Sequence, residues 1–177
     1  MTLWRSGLTP PPPLRRWRVA DRSRGMQARR AEIRFPGTHE GFAQGFARLR
    51  SALDAERLEA APRYNAELVF EEIVANIVSH GAVNGREPDV RVTLEPCSDS
   101  IVLTFDDDGV PFDPRGRSDP VHPRSLEEAK VGGFGLMLVR RAASTLDYRR
   151  TVEGRNRLTV RVARSSPPSN APCGRTG

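Results

Sequence analysis

The order of its helical and extended segments constrains this sequence more than any other feature. After a short first strand, two segments with helical periodicity precede two strands, at about Val90–Glu95 and Ile101–Asp106, that are separated only by a polar turn. A third helical segment and a second pair of short strands follow. Strands joined by short turns pair antiparallel, and segregated helices then cover the sheet. The sequence therefore predicts an α+β fold, a two-layer sandwich in which helices cover one face of a mixed, mostly antiparallel sheet.

The bounds of the other elements follow from periodicity and turn residues. Apolar residues recur at helical spacing after Thr38, a residue type that caps helices. Two glycines inside this first helix lower its helix propensity. The predicted elements are a strand at Ala31–Phe35, helices from Thr38 to Leu58, at about Pro62–Val83 and at about Gly133–Thr145, and strands near Leu146–Val152 and Leu158–Val162.

The net charge of +6 lies in the ends of the chain rather than in its centre. Residues 1–30 hold eight Arg and one Asp, and residues 164–177 hold two Arg and no acid. Residues 31–163 are therefore left with 18 Lys and Arg against 21 Asp and Glu. A mildly acidic body lacks the basic surface that nucleic acids require, so we expect no direct nucleic-acid binding.

Both ends are also poor in residues that form a core. Four consecutive prolines, Pro10–Pro13, and few aliphatic residues predict a disordered basic arm over residues 1–30, with Met26 as an alternative start. A composition rich in Pro, Ser and Gly predicts a disordered tail over residues 164–177. One domain over residues 31–163 remains.

Neither export nor membrane insertion is indicated. The four prolines stand where a signal peptide needs its apolar segment, and no stretch approaches the roughly 18 apolar residues that span a bilayer. Cys97 and Cys173 are far apart, and no Cys or His lies at metal-ligand spacing. Neither a disulfide framework nor a zinc site is therefore predicted. We expect a cytoplasmic protein.

The first segment with chemical potential is residues 66–81, AELVFEEIVANIVSHG. Its apolar residues form one helical face, and Glu72 and Asn76 lie one turn apart along the border of that face. A carboxylate and an amide beside a buried stripe are costly unless they are hydrogen-bonded or coordinate an ion. The pair suits a general base next to a metal ligand, and an ordinary solvated helix edge is the alternative.

The second segment is a strand that runs directly into Asp106, Asp107, Asp108 and Gly109. Acids at a strand end, followed by a glycine that permits close approach, can accept hydrogen bonds from a ligand. A calcium site and a plain turn are the alternatives, although the spacing of a calcium-binding loop is absent.

The third segment runs from Lys130 to Arg141, and Gly132, Gly133 and Gly135 open an amphipathic helix within it. Such a helix start presents free backbone N–H groups and the positive end of the helix dipole, which favours phosphate. The segment lacks the Gly-Lys-Ser/Thr of a Walker motif, and alone it does not identify a ligand.

In order and spacing, the three segments resemble the N box and the two glycine boxes of the GHKL superfamily, and within it the anti-sigma-factor serine/threonine kinases. The matching residues are Glu72, Asn76 and His80 of the N box, Asp107, Gly109, Phe112 and Asp113 of the first glycine box, Gly132, Gly133, Gly135 and Leu136 of the second, and Tyr148, Gly154, Asn156 and Leu158 of the closing strand pair. The resemblance covers about residues 31–163 and implies the Bergerat ATP-binding fold.

The resemblance implies a role for most of these residues. Glu72 would be the general base that takes the proton of an acceptor hydroxyl, and Asn76 would bind Mg²⁺. Asp107 would accept a hydrogen bond from the adenine amino group. The other ATP-binding residues would be Gly109, Gly132, Gly133, Phe134, Gly135 and Leu136, with Lys130 as a phosphate contact in a lid over residues 114–131. For His80, capping or packing and a functional role both remain open.

The resemblance also implies partners and leaves two functions open. As a kinase, the protein would use ATP and Mg²⁺ to phosphorylate a STAS-type anti-anti-sigma protein while sequestering a sigma factor, and it would form a homodimer. The alternative is an ATP-dependent binding switch with little catalysis, and the presence of Glu72 favours the kinase. A histidine kinase core would need a phosphoacceptor helix pair upstream, whereas residues 1–60 offer one helix without a suitable His.

Overall fold

The computed structural model describes residues 30–116 and 134–164 of the chain. Within these ranges there are five strands and three helices. None of the three helices has the length and apolar character that a bilayer-spanning helix needs. In chain order they are β1 (Ala31–Pro36), α1 (His39–Asp54), α2 (Ala60–His80), β2 (Asp89–Pro96), β3 (Ser100–Asp107), α3 (Gly135–Ala142), β4 (Thr145–Arg150) and β5 (Asn156–Ala163), with one 3-10 turn at Pro114–Gly116. Almost all of the predicted arm and tail, and most of the predicted lid, lie outside the described residues.

The five strands form one sheet in the order β1-β2-β3-β5-β4, and every pairing between them is antiparallel. The register aligns apolar residues in rows across one face, for example Ile33, Val92, Phe105 and Leu158. All four are buried, in the same core as residues of α1, α2 and α3. Side chains alternate between the two faces of a strand, so these buried residues lie on one face of the sheet. This is the face that the helices cover. The predicted two-layer α+β sandwich is confirmed.

A cluster of aromatic rings packs α1 and α2 onto the sheet. The ring centroid of Phe70 on α2 lies 6.0 Å from that of Phe35, 5.8 Å from that of Phe46 and 6.2 Å from that of Phe105. Gly45 of α1 lies against the same cluster, and a Cβ there would be 2.6 Å from Cε1 of Phe35. This glycine lets α1 approach β1 closely, a role that helix propensity alone does not indicate.

Helix α1 begins where the sequence predicts and ends earlier. The Thr38 hydroxyl oxygen accepts a hydrogen bond from the Gly41 N–H at 2.9 Å, which confirms Thr38 as the cap. The helix ends at Asp54 rather than continuing to Leu58. The chain then turns at Arg57, whose φ of 48° lies in the left-handed region and does not continue a helix.

Helix α2 spans Ala60–His80 and does not continue to Val83 as predicted. Val83 instead begins a turn in which Asn84 and Gly85 have φ angles of 51° and 77°. Asn and Gly tolerate this left-handed region best, so the Asn-Gly pair outweighs the apolar pattern that precedes it. The early end of α2 leaves the following turn free to meet the end of β3.

Candidate functional site

A cleft opens between α2 and the sheet, beside the end of β3. It contains about 520 Å³ of space, part of which is open to solvent at its mouth. The lining is apolar except for a few polar residues, and His80, whose role the sequence leaves open, is the exposed member of this set. The polar lining residues are Asn76, His80, Asp107, Tyr148 and Asn156.

Asp107 is the buried acid of this cleft, with only 5% of its surface exposed. Its Oδ1 accepts two hydrogen bonds, from the Gly109 N–H at 2.9 Å and from Asn156 Nδ2 at 2.8 Å. Burial raises the pKa of Asp107 above its ordinary value of 3.8, although these two hydrogen bonds oppose the shift. No described residue donates to Oδ2, so this oxygen can accept a hydrogen bond from a ligand.

The other two acids of the triplet do not line the cleft, and both pair with arginines. Asp106 lies on the opposite face of the sheet, where it pairs with Arg155 and Arg157. Asp108 pairs with Arg86 at 2.9 Å. The three carboxylates therefore do not converge on one cation, and the calcium alternative does not fit. No cluster of three or more His, Cys, Asp or Glu side chains suited to a metal occurs in residues 30–116 and 134–164.

The turn after β3 packs tightly against the end of α2. The Val110 N–H donates to the Gly81 carbonyl oxygen at 3.0 Å. A Cβ on Gly109 would lie 2.6 Å from the same oxygen and 2.9 Å from Asp107 Oδ1. Only glycine fits here without a backbone shift, so Gly109 is required by packing as well as by the predicted approach of a ligand.

Asn76 lines the cleft from α2, and its amide is oriented by its own helix. Its Nδ2 donates to the Glu72 carbonyl oxygen at 2.7 Å. Because only the amide nitrogen can donate to a carbonyl, Oδ1 is left as an acceptor. Mg²⁺ bound to a nucleotide takes few protein ligands and completes its shell with phosphate oxygens and water. A single amide oxygen beside the cleft therefore fits the predicted Mg²⁺ site.

Glu72 lies one turn earlier on α2, against the start of α3 rather than in the lining of the cleft. It is half-buried, and its carboxylate takes part in none of the hydrogen bonds or ion pairs formed among the described residues. A Cβ on Gly135 would overlap Glu72 Oε2. Glycine at this position lets an unpartnered carboxylate lie against the first turn of α3.

The described part of the glycine-rich segment forms the start of α3. Phe134 is the cap residue of α3, and Gly135 and Leu136 begin the helix, which packs along α2. Leu136 also packs against the core. Three residues predicted to bind ATP, Lys130, Gly132 and Gly133, lie outside the described residues.

Two residues of the cleft had no role assigned from the sequence, although the family pattern includes them. Asn156 Nδ2 donates to Asp107, and Asn156 Oδ1 accepts from the Tyr148 hydroxyl at 2.8 Å and from Arg150 Nη1 at 2.7 Å. Asn156 stands opposite Asp107 in the register of β3 and β5. This register identifies Asn156 as a residue of the cleft, and it can be assigned only after the pairing of the strands is known.

Comparison with known proteins agrees with this geometry. Residues 35–162 match the family described as histidine kinase-like ATPase domain, a range that contains the whole cleft. Over 114 residues the chain is 34% identical to the serine/threonine-protein kinase BtrW of Bordetella bronchiseptica. That alignment covers 64% of this chain and 79% of the relative.

Proposed function

This chain belongs to the histidine kinase-like ATPase domain family, a group of GHKL ATP-binding proteins, and we propose that it is an ATP-dependent serine/threonine protein kinase. In this proposal it acts as a homodimeric anti-sigma factor and phosphorylates a STAS-type anti-anti-sigma protein. The observation that supports catalysis is Glu72, whose carboxylate has no hydrogen-bond or ion-pair partner among the described residues and lies one turn from Asn76. A protein that only binds ATP needs no base at this position. The name of the relative, a serine/threonine-protein kinase, supports the same reaction type.

The cleft would select the base of the nucleotide through Asp107. Its free Oδ2 would accept a hydrogen bond from the 6-amino group of adenine, while apolar residues such as Phe105 and Ile73 pack against the ring. Guanine presents a carbonyl oxygen at the same place. Two acceptors would then face each other, so GTP should bind less tightly than ATP.

The phosphate end of the site would lie between α2 and the start of α3. Asn76 Oδ1 would be a ligand of Mg²⁺, which when bound neutralises charge on the phosphates. Glu72 would take the proton from a serine or threonine hydroxyl of the partner. The hydroxyl oxygen forms its bond to the γ-phosphorus as the bond to the bridging oxygen breaks, and ADP leaves.

Glu72→Gln tests this function. The substitution keeps the size of the side chain and removes its basicity, so phosphate transfer from ATP to a STAS-domain partner should fall by about 10²-fold or more. ATP affinity and partner binding should be retained, because Glu72 would contact the acceptor hydroxyl. Glu71→Gln is the matched control: Glu71 is exposed on the same helix, and its substitution should leave transfer unchanged.

The outcomes separate the kinase from the binding switch. Equal transfer by the wild type and Glu72→Gln would overturn the assignment of the base. No transfer by the wild type, with ATP-dependent binding of the partner intact, would instead identify an ATP-dependent switch that sequesters its partner. The assay uses radiolabelled ATP and a candidate STAS-domain protein as the acceptor.

A further inference from the structure

Every donor and acceptor position of the Asn156 side chain, at the cleft, takes part in a hydrogen bond within the protein. Only 6% of this residue is exposed. Its Nδ2 donates to Asp107 Oδ1 at 2.8 Å and to the Val110 carbonyl oxygen at 3.0 Å. Its Oδ1 accepts from the Tyr148 hydroxyl at 2.8 Å and from Arg150 Nη1 at 2.7 Å. Two donor and two acceptor positions are all that an amide has, so none is left for a ligand.

The orientation of this amide follows from its partners. A guanidinium can only donate, so Arg150 fixes the amide oxygen on the side of β4 and turns the amide nitrogen toward Asp107. Arg150 Nη1 also donates to the Gly109 carbonyl oxygen at 3.1 Å. The β4–β5 pair is therefore bonded both to the carboxylate of Asp107 and to the backbone of the turn that follows it.

We propose that Asn156 is the positioning residue that sets nucleotide specificity, because its amide occupies Asp107 Oδ1 and leaves Oδ2 as the acceptor for a 6-aminopurine. The inference rests on the proposed function, since it takes adenine as the ligand of Asp107. Without the amide donor, the carboxylate can rotate or bind a proton. A protonated carboxyl can donate to the carbonyl oxygen of a 6-oxopurine, so discrimination between the two bases would decrease.

The protonation of Asp107 depends on several groups around it. Burial raises its pKa, and the hydrogen bonds from Asn156 and Gly109 oppose that shift, as do the charges of Arg155 and Arg150. Among the residues that the structure describes, the other titratable groups at the cleft are His80 of α2 and Tyr148 of β4. Asn156 is thus one of the groups that oppose protonation of this buried carboxyl group.

Asn156→Asp tests the inference in the full-length protein. The new carboxylate can still accept from Tyr148 and Arg150, but it replaces the donor to Asp107 with a second acceptor. At a pH of about 8, ATP affinity measured by calorimetry with Mg²⁺ should fall about 10-fold or more, and the ratio of ATP to GTP affinity should fall with it. Asn65→Asp, the same change on α2 away from the cleft, should alter neither value.

The pH dependence of binding is a readout that a merely structural role would not produce. Two carboxylates in contact share one proton as the pH falls, and the shared proton restores a donor between positions 156 and 107. Between pH values of about 8 and 5.5, ATP affinity of Asn156→Asp should therefore rise, whereas that of the wild type should stay level or fall. His80 is present in both proteins, so the difference between the two profiles excludes its contribution.

Tyr148→Phe keeps the test decisive if Asn156→Asp does not fold. It removes one donor that orients the amide and leaves Asp107 untouched, so the ratio of ATP to GTP affinity should fall about 2- to 5-fold. If the wild type binds no ATP, the proposed function fails. If the wild type prefers ATP and the folded Asn156 and Tyr148 variants keep that preference at every pH, only the role of Asn156 is overturned.

Discussion

Asp106 and Asp107 are consecutive residues with 3% and 5% of their surfaces exposed, yet they lie on opposite faces of the sheet. Asp106 contacts the guanidinium groups of Arg155 and Arg157, and although burial raises the pKa of Asp106, these ion pairs outweigh burial and lower it. Asp107 contacts an amide and a backbone N–H in the cleft, and burial raises its pKa. The two carboxylates thus differ in their partners, although a similarly small fraction of each residue is exposed.

The difference distinguishes a carboxylate whose oxygens are both paired from one that keeps an acceptor for a ligand. The oxygens of Asp106 are both paired with cations, so this residue has nothing left for a ligand. Asp107 has one oxygen free of hydrogen bonds from the described residues and no guanidinium in contact with it. A desolvated carboxylate with an open acceptor is costly to the fold, and such groups are concentrated at functional sites.

The largest effect is expected from Asp107→Asn. The amide replaces a charged acceptor, so ATP affinity should fall about 10- to 100-fold, the range for a hydrogen bond to a charged group. The free energy of unfolding at neutral pH should not decrease, because a desolvated charge is removed. Calorimetry with ATP and urea denaturation measure the two effects, and a large loss of stability with unchanged ATP affinity would make Asp107 the structural acid.

Asp106→Asn should produce the opposite pattern. Arg155 and Arg157 lose their anionic partner while they remain partly buried, which should lower the free energy of unfolding by about 1–2 kcal/mol. ATP affinity should be unchanged, since Asp106 lies on the face away from the cleft. Urea denaturation and nucleotide calorimetry on the same preparation measure the two effects. A fall in ATP affinity without a fall in stability would contradict a purely structural role for Asp106.

The smallest effect concerns the pH dependence of stability without nucleotide. A lowered pKa means that Asp106 contributes stability above 3.8 that is lost as the pH falls through its folded-state pKa, so the deficit of Asp106→Asn should shrink in acid. A raised pKa means that the contribution of Asp107 is present below 3.8 and lost as the pH rises through its folded-state pKa. Asp107→Asn should therefore gain stability relative to the wild type on going from acid to neutral pH. Denaturation curves at several pH values would detect the opposite signs.

The sequence is sufficient for the fold class and for the candidate residues that have a motif around them. Periodicity predicts the helices and the strand pairs, and spacing identifies Glu72, Asn76 and Asp107. Without the family motif, the run of three acids does not distinguish Asp106 from Asp107, because which carboxylate lies in the cleft depends on the pairing of β3 with β5. The same holds for Asn156, which reaches Asp107 only through that pairing across 49 positions of the chain.

Local signals were also outweighed by packing and by turn chemistry. Judged from the sequence, Gly45 lowers the helix propensity of its segment. In the structure, the lack of a side chain at this position lets α1 approach Phe35. Val83 continues an apolar pattern, whereas α2 ends at His80 and Val83 belongs to the turn that contains Asn84 and Gly85. Helix propensity and periodicity are properties of a single segment. Both of these outcomes depend instead on the residues that the segment contacts or that follow it in the chain.

Titration of the wild-type protein with three nucleotides tests the proposed role of Asp107 as the acceptor for the 6-amino group of adenine. ATP, GTP and purine riboside triphosphate, which lacks the 6-amino group, share the same triphosphate and differ at the edge of the base. With Mg²⁺ present, calorimetry should show ATP binding at least about 10-fold more tightly than either of the others, as expected for a hydrogen bond to a carboxylate. Equal affinity for the three nucleotides would contradict the claim.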